Sequence, residues 1–210
     1  MSQVIDLPSL AIFIPTFFFV SATPGMCMTL SMTLGMTLGV RRTFWMMWGE
    51  LVGVALVSAA AVIGVASVML HHPLLFQLLK YLGGGYLGYL GWQLWCSRGK
   101  MAISARAVAR VGDNRLGLAL QGFVTAIANP KGWAFMISLL PPFINQESAL
   151  APQLITLLVM IVLIEFCCLV IYAGGGKTLR SFLDTSGNVR LLNRIAGSLM
   201  VGVGLWLALG

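Results

Sequence analysis

Between residues 7 and 40 the chain carries no charged side chain, and this limits its fold more than any other feature. As one helix the stretch would reach about 50 Å at 1.5 Å per residue, well beyond the roughly 30 Å hydrocarbon core of a bilayer. It also contains Pro24-Gly25, the two residues least suited to a helix interior. Proline removes one helix hydrogen bond and crowds the carbonyl four residues back, here that of Val20. A helix in a bilayer, broken at Pro24, answers both observations. Composition agrees: 59% of residues are hydrophobic and 9% charged, where a soluble domain carries roughly 25% charged. Mean hydropathy is +0.93, and no soluble fold of 210 residues hides that much apolar surface.

Apolar runs between polar breaks give six expected spans, at about 8–38, 44–70, 74–97, 116–145, 149–173 and 191–210. Backbone groups in lipid must be satisfied internally, so helices are expected, and the apolarity is continuous rather than alternating, which excludes a β-barrel. The N-terminus, MSQVIDLPSL, has no Lys or Arg and no small-residue cleavage site, so it reads as the approach to a first span rather than a removable leader.

The charges are one-sided. Eleven of the 13 lysines and arginines fall in three alternate connections: Arg41 and Arg42; Arg98, Lys100, Arg106, Arg110 and Arg115; Lys177, Arg180, Arg190 and Arg194. The positive-inside rule puts these in the cytoplasm and both termini in the periplasm. The net charge of +7 is then mostly topology, not a nucleic-acid surface. Lys80, early in the third span, can snorkel to the outer interface; Lys131 lies deep in the fourth. Cys27, Cys96, Cys167 and Cys168 form no C-x-x-C and read as small core residues.

The fourth span repeats the problem of the first. Thr23-Pro24 and Asn129-Pro130 lie 106 residues apart, each in the first span of a three-span half. Three spans is an odd number, so the second half is expected to be inverted relative to the first. Paired interrupted helices in an inverted repeat point to a transporter's binding site; unrelated proline kinks are the plain alternative. Glu165 lies among apolar and sulfur residues in VLIEFCCLV, and Glu50 in MMWGELVGV nearer the cytoplasmic end. Intramembrane carboxylates usually face a cavity or a partner, and both are candidates for proton coupling. For Glu165 the structural alternative is a pair with Lys131; for Glu50 it is contact with headgroups.

Other features have plainer readings. Trp45, Trp48, Trp92 and Trp95 sit near expected interfaces. Gly83, Gly84, Gly85, Gly88 and Gly91 suit close helix contact. His71-His72 reads as an exposed turn. After the first break, Met-Thr-Leu-(Ser/Gly) repeats three times over residues 28–39. Its small stripe (Ser31, Gly35, Gly39) suits tight packing, while Thr29, Thr33 and Thr37 either line a polar path or bond their own helix carbonyls.

Taken together, the Pro-Gly break, the Gly-Val-Arg-Arg after it, KYLGGGYLGYLGWQLW at 80–95, NPKGWAFMISLLPPFI at 129–144 and the fifth-span acid resemble the LysE/RhtB family of bacterial amino-acid exporters, over essentially the whole chain. The resemblance implies an all-α, six-helix inner-membrane carrier that exports amino acids or close derivatives in exchange for protons. It implies one integral membrane domain over residues 1–210, with repeats at about 8–97 and 116–210 around the basic loop, broken helices one and four, and no cofactor. Pro24 and Gly25 match the family's first-span motif, Asn129, Pro130 and Lys131 its fourth-span motif, and Glu165 its fifth-span acid. With Thr23, these make the expected substrate path, with Glu165 and Glu50 for proton coupling. Two departures stand out. Met26 and Cys27 follow Pro24-Gly25 where members often have proline then Asn or Asp. The second-span acid is Glu50, one turn before Gly53, rather than the residue after that glycine. The expected partners are an amino acid or analogue, a proton and the lipid bilayer, with homo-oligomerisation left open and no nucleic acid. A metal-cation exporter and a non-transporting scaffold are the alternatives; an enzyme is not expected, since no nucleophile-base pair or phosphate loop is present.

Overall fold

The computed structural model describes residues 7–71, 73–97, 114–140, 143–144 and 148–209. The regular structure among them is helical: α1 (Leu7–Ala22), α2 (Met26–Leu38), α3 (Val40–His71), α4 (Pro73–Cys96), α5 (Arg115–Ile127), α6 (Pro130–Leu139), α7 (Leu150–Asp184) and α8 (Ser186–Leu209). The all-α expectation is met. Arg98, Lys100, Arg106, Arg110 and His72 lie outside the described residues, as do the side chains of His71, Lys80, Lys177 and Arg180.

Each interruption has a local cause. Helices α1 and α2 meet at residues 23–25 with a bend of 57°, where Pro24 withholds a backbone donor. Asn129 ends the interruption between α5 and α6. Its side chain accepts from the Lys131 N–H at 3.2 Å, with Pro130 at the first helical position, a favoured start for a helix. Helices α2 and α3 are joined through Gly39 alone, at φ 83 and ψ 156, a region essentially reserved for glycine. Arg41 and Arg42 therefore stand in the first turn of α3 rather than in a loop. The expected loop near residues 174–190 is also mostly helix: α7 runs on to Asp184 past a kink at Gly176, φ 46.

Within α3 and α7, Val40–Gly64 and Leu150–Gly176 are long and apolar enough to cross a membrane, and the bent α1–α2 pair makes a third such segment if counted as one span. Helix α4 packs along α8, α3 against α5 and α7, and α2 against α7. Glycine sets the closest approaches. A Cβ on Gly122 would lie 2.0 Å from the Met46 carbonyl oxygen, and one on Gly49 would lie 1.8 Å from that of Ala119. Between α4 and α8, Gly91 and Gly197 each face the other's carbonyl in the same way. Such contacts let backbones meet where lipid supplies no hydrophobic drive. The expected glycine surface of α4 is thus real at Gly91, at Gly84 and Gly88, whose backbones lie against Gly204, and at Gly83 beside Ser138, whereas a Cβ on Gly85 would meet nothing.

The ladder of α2 divides its work. Ser31 Oγ donates to the Leu169 carbonyl at 2.8 Å, and Gly35 lies against Ala173, so the small stripe packs on α7 at these two positions, whereas Gly39 is the linker to α3 and a Cβ there would meet nothing. Thr33 and Thr37 bond the carbonyls of Thr29 and Thr33 on their own helix, at 2.8 and 2.9 Å. The core falls into two clusters. One gathers Phe13, Phe17, Phe135 and Phe143 around α1 and α6; the other gathers Met28, Met32, Met46 and Met47 around α2 and α3. The 23–25 break lies between them. Trp45, Trp48, Trp92 and Trp95 are exposed, and Arg115 and Arg194 stack over Trp45 and Trp95 at 5.4 and 4.9 Å.

Gly122→Ala should lower stability by about 1–3 kcal/mol, because backbone rather than a flexible side chain must give way. Gly85→Ala should change it by less than about 1 kcal/mol. Thermal unfolding of both variants in one detergent checks the contrast.

Candidate functional site

The two interruptions come together in space. Lys131, in the first turn of α6, extends its ammonium to the end of α1, donating to the Val20 carbonyl at 3.1 Å and to Thr23 Oγ1 at 2.7 Å. Val20 is the residue whose carbonyl Pro24 deprives of its helix partner. The Thr23 hydroxyl donates to the same carbonyl. The next orphaned group in α1, the Ala22 carbonyl, accepts from the Tyr172 hydroxyl of α7 at 2.7 Å. At the other break, the Trp133 indole donates to the Ile127 carbonyl at 2.8 Å. Gly25 lies beside this meeting, and a Cβ there would come to ordinary contact distance, 3.9 Å, of Lys131 Nζ.

A cavity opens where the breaks meet. Thr23, Gly25, Asn129 and Lys131 line it, together with Glu50 from α3 and Glu165 from α7. Pro24 and Pro130 shape the breaks and are not among the lining residues. Its apolar walls include Phe17, Val54, Val57, Phe135 and Met136. The first turn of α2, Met26 to Met28, also faces it, and α2 begins at Gly25 without a side-chain cap. The uncapped end of a helix carries partial positive charge and free backbone donors.

Each charged group has a distinct situation. Glu165 accepts a hydrogen bond from Ser21 of α1 and interacts through space with Lys131. The hydrogen bonds of Lys131 go to α1 and the break, not to Glu165. Glu50 is fully buried, and neither carboxylate oxygen has a hydrogen-bond partner; Glu165 and the Cys27 thiol are its electrostatic neighbours. Contact with headgroups is therefore not what Glu50 makes. The reason lies in α3 itself, which turns Glu50 inward beside Gly122 of α5. Asn129 divides its amide: the oxygen caps α6, and Nδ2 approaches Cys27 Sγ at 3.8 Å. Cys27 and Cys168 are buried, whereas Cys96 and Cys167 are exposed, so only half of the cysteines are core residues.

Sequence reasoning missed Ser21, Tyr172 and the cavity position of Cys27. Nothing in their spacing marks them, because their roles depend on how α1, α2 and α7 are rotated about one another. The capping role of Asn129 was readable, since asparagine before proline is a common helix start.

The chain matches the LysE type translocator family over residues 18–210. It is 24% identical over 188 residues to an uncharacterized membrane protein of Vibrio cholerae serotype O1, covering 90% of each chain. It is 27% identical over 146 residues to the homoserine/homoserine lactone efflux protein of Salmonella typhimurium, covering 70% of this chain and 69% of that one. With the leucine efflux protein of Enterobacter sp. (strain 638) it shares 26% identity over 195 residues, 91% of this chain and 90% of the relative. No solved structure matches. A membrane chain matched from residue 18 to its last residue belongs to the LysE-type translocator family.

Proposed function

We propose that the protein is a secondary-active exporter that carries amino acids or close derivatives out across the bacterial inner membrane in exchange for protons. The observation that carries this reading is the bond from Lys131 to the carbonyl orphaned at Pro24, in a cavity that also holds Glu50 and Glu165. Meeting helix breaks with ionisable groups are where secondary transporters hold substrate and coupling ion. Thr23, Pro24, Gly25, Asn129, Pro130 and Lys131 form the substrate path in this reading. The efflux activities named for the Salmonella and Enterobacter relatives support an amino-acid cargo.

The proposed architecture is six spans in an inverted 3+3 repeat. One half is α1–α2, α3 and α4; the other is α5–α6, α7 and α8. A pseudo-two-fold axis relating these halves pairs α3 with α7 and α4 with α8, and both pairs are in contact. Arg115 over Trp45 joins the starts of α5 and α3, and Arg194 over Trp95 joins the start of α8 to the end of α4. A single basic cytoplasmic face, with both termini periplasmic, requires those ends to coincide.

Coupling follows from counting charges. Fully ionised, the cavity holds one cation, Lys131, against two carboxylates, Glu50 and Glu165. A proton or a substrate's ammonium can each neutralise one of these carboxylates, while a zwitterionic cargo brings its own carboxylate toward Lys131. The competition is therefore local to the two glutamates, and a proton entering from the periplasm displaces the ammonium of a cargo leaving the cell. Glu165 faces both Ser21 on α1 and Lys131 on α6, and it carries the proton in this scheme.

Overexpression should raise tolerance to toxic levels of at least one amino acid or analogue. Wild-type membrane levels with tolerance to none would sink the exporter reading. In membrane vesicles, Glu165→Gln should abolish stimulation of export by an imposed pH gradient; unchanged stimulation would remove Glu165 from coupling. Lys131→Met removes the charged donor shared by the Val20 carbonyl and the Thr23 hydroxyl and should reduce export roughly 10- to 100-fold, as expected for about 1.5–3 kcal/mol of lost interaction.

A further inference from the structure

We infer that Glu50 is the seat for the substrate's ammonium group, and that the site selects its cargo by a free amine and a compact apolar side chain more than by a carboxylate. The inference rests on the exporter reading. Glu50 is a fully buried acid whose two oxygens line the cavity without a hydrogen-bond partner. Its neighbours are the Glu165 carboxyl, a like charge when ionised, and the Cys27 thiol, a weak donor; neither brings a positive charge. A buried charge left this way is costly, and a positively charged donor is what it lacks.

The other polar groups of the cavity are already engaged. Glu165 takes the Ser21 hydroxyl. Lys131 spends two of its three N–H donors on Val20 and Thr23. Asn129 spends its oxygen on the start of α6. An incoming carboxylate thus finds one remaining lysine donor, the Asn129 amide NH2 beside Cys27 and the first turn of α2, which add to binding without defining it. An incoming ammonium finds two unspent oxygens.

The rest of the ligand is set by what stands beside Glu50. Val54 and Val57 are four and seven residues further along α3, on the same face, and both line the cavity. Phe17, Phe135 and Met136 complete that wall. A ligand anchored at Glu50 lays its side chain on apolar surface, and the other carboxylate lining the cavity, Glu165, is already engaged by Ser21 and Lys131. The substrate class is a neutral, aliphatic α-amino acid, or its amide or ester, rather than a basic or acidic one.

The test uses the full-length protein in proteoliposomes, with counterflow of labelled L-leucine and four competitors. Unlabelled L-leucine is the reference. L-leucinamide keeps the amine and loses the carboxylate charge, 4-methylpentanoate keeps the carboxylate and loses the amine, and L-lysine adds a second cation. Leucinamide should compete within about tenfold of leucine, while lysine should be at least about tenfold weaker and 4-methylpentanoate at least about 100-fold weaker. Glu50→Gln should weaken leucine and leucinamide by about tenfold or more, and Glu50→Asp should recover part of the loss. Competition by 4-methylpentanoate as strong as that by leucinamide, or normal leucine affinity in Glu50→Gln, overturns the assignment. Counterflow of charged amino acids but not of leucine overturns the side-chain class and leaves the exporter reading standing. Counterflow of no amino acid removes that reading, and the inference with it.

Discussion

Inside a bilayer, a backbone carbonyl that loses its helix partner has no water to turn to, and Pro24 creates one at Val20. The N–H and hydroxyl of Thr23 reach it locally, and the charged donor comes from more than a hundred residues away, in the ammonium of Lys131. The lysine has the complementary difficulty, since a half-buried cation needs acceptors. Each liability is answered by the other. A hydrogen bond to a charged group is worth about 1.5–3 kcal/mol, so the contact ties the two breaks together instead of leaving each to unravel. Tyr172 and Trp133 do the same for the neighbouring carbonyls at Ala22 and Ile127. The cavity, the bend of α1–α2 and the position of α6 all follow from where these orphaned groups find partners.

The second fixed element is the contact of α3 with α5. Gly49 and Gly122 bring the two backbones to van der Waals limits, and the amide nitrogen of Glu50 would lie 2.9 Å from a Cβ on Gly122. The carboxylate is therefore held on a rigid pair of helices, not on a loop. Precise placement on regular elements is what a charge-selective site requires. The α2–α7 contact through Ser31 and Gly35 serves Glu165 in the same way.

Much of this could be read from the chain, for identifiable reasons. Composition dictated an all-helical membrane protein, because only helices or closed barrels satisfy backbone groups in lipid. The prolines marked both breaks, and the placement of Lys131 and Glu165 in apolar surroundings marked them as groups with partners. Local chemistry stops there. Glu50 had two readings until the packing of α3 on α5 turned it inward. Ser21 and Tyr172 are ordinary residues on apolar helices, made relevant only by the rotation of α1 against α7. The charges near residues 177–180 suggested a loop, whereas Gly176 lets α7 kink and continue as helix. Charge placement reports depth in a membrane; it does not report backbone conformation.

The two breaks also differ in how their second helices begin. Helix α6 carries its own cap in Asn129, while α2 starts at Gly25 with none. If the two halves exchange roles as the transporter alternates, that difference enters the balance between its two access states. With glycine at the cap position the difference is worth about a few tenths of a kcal/mol, enough to shift a population ratio by less than about twofold. The carrier would then rest open to one side of the membrane slightly more often than to the other, a bias of its resting state rather than of net flux.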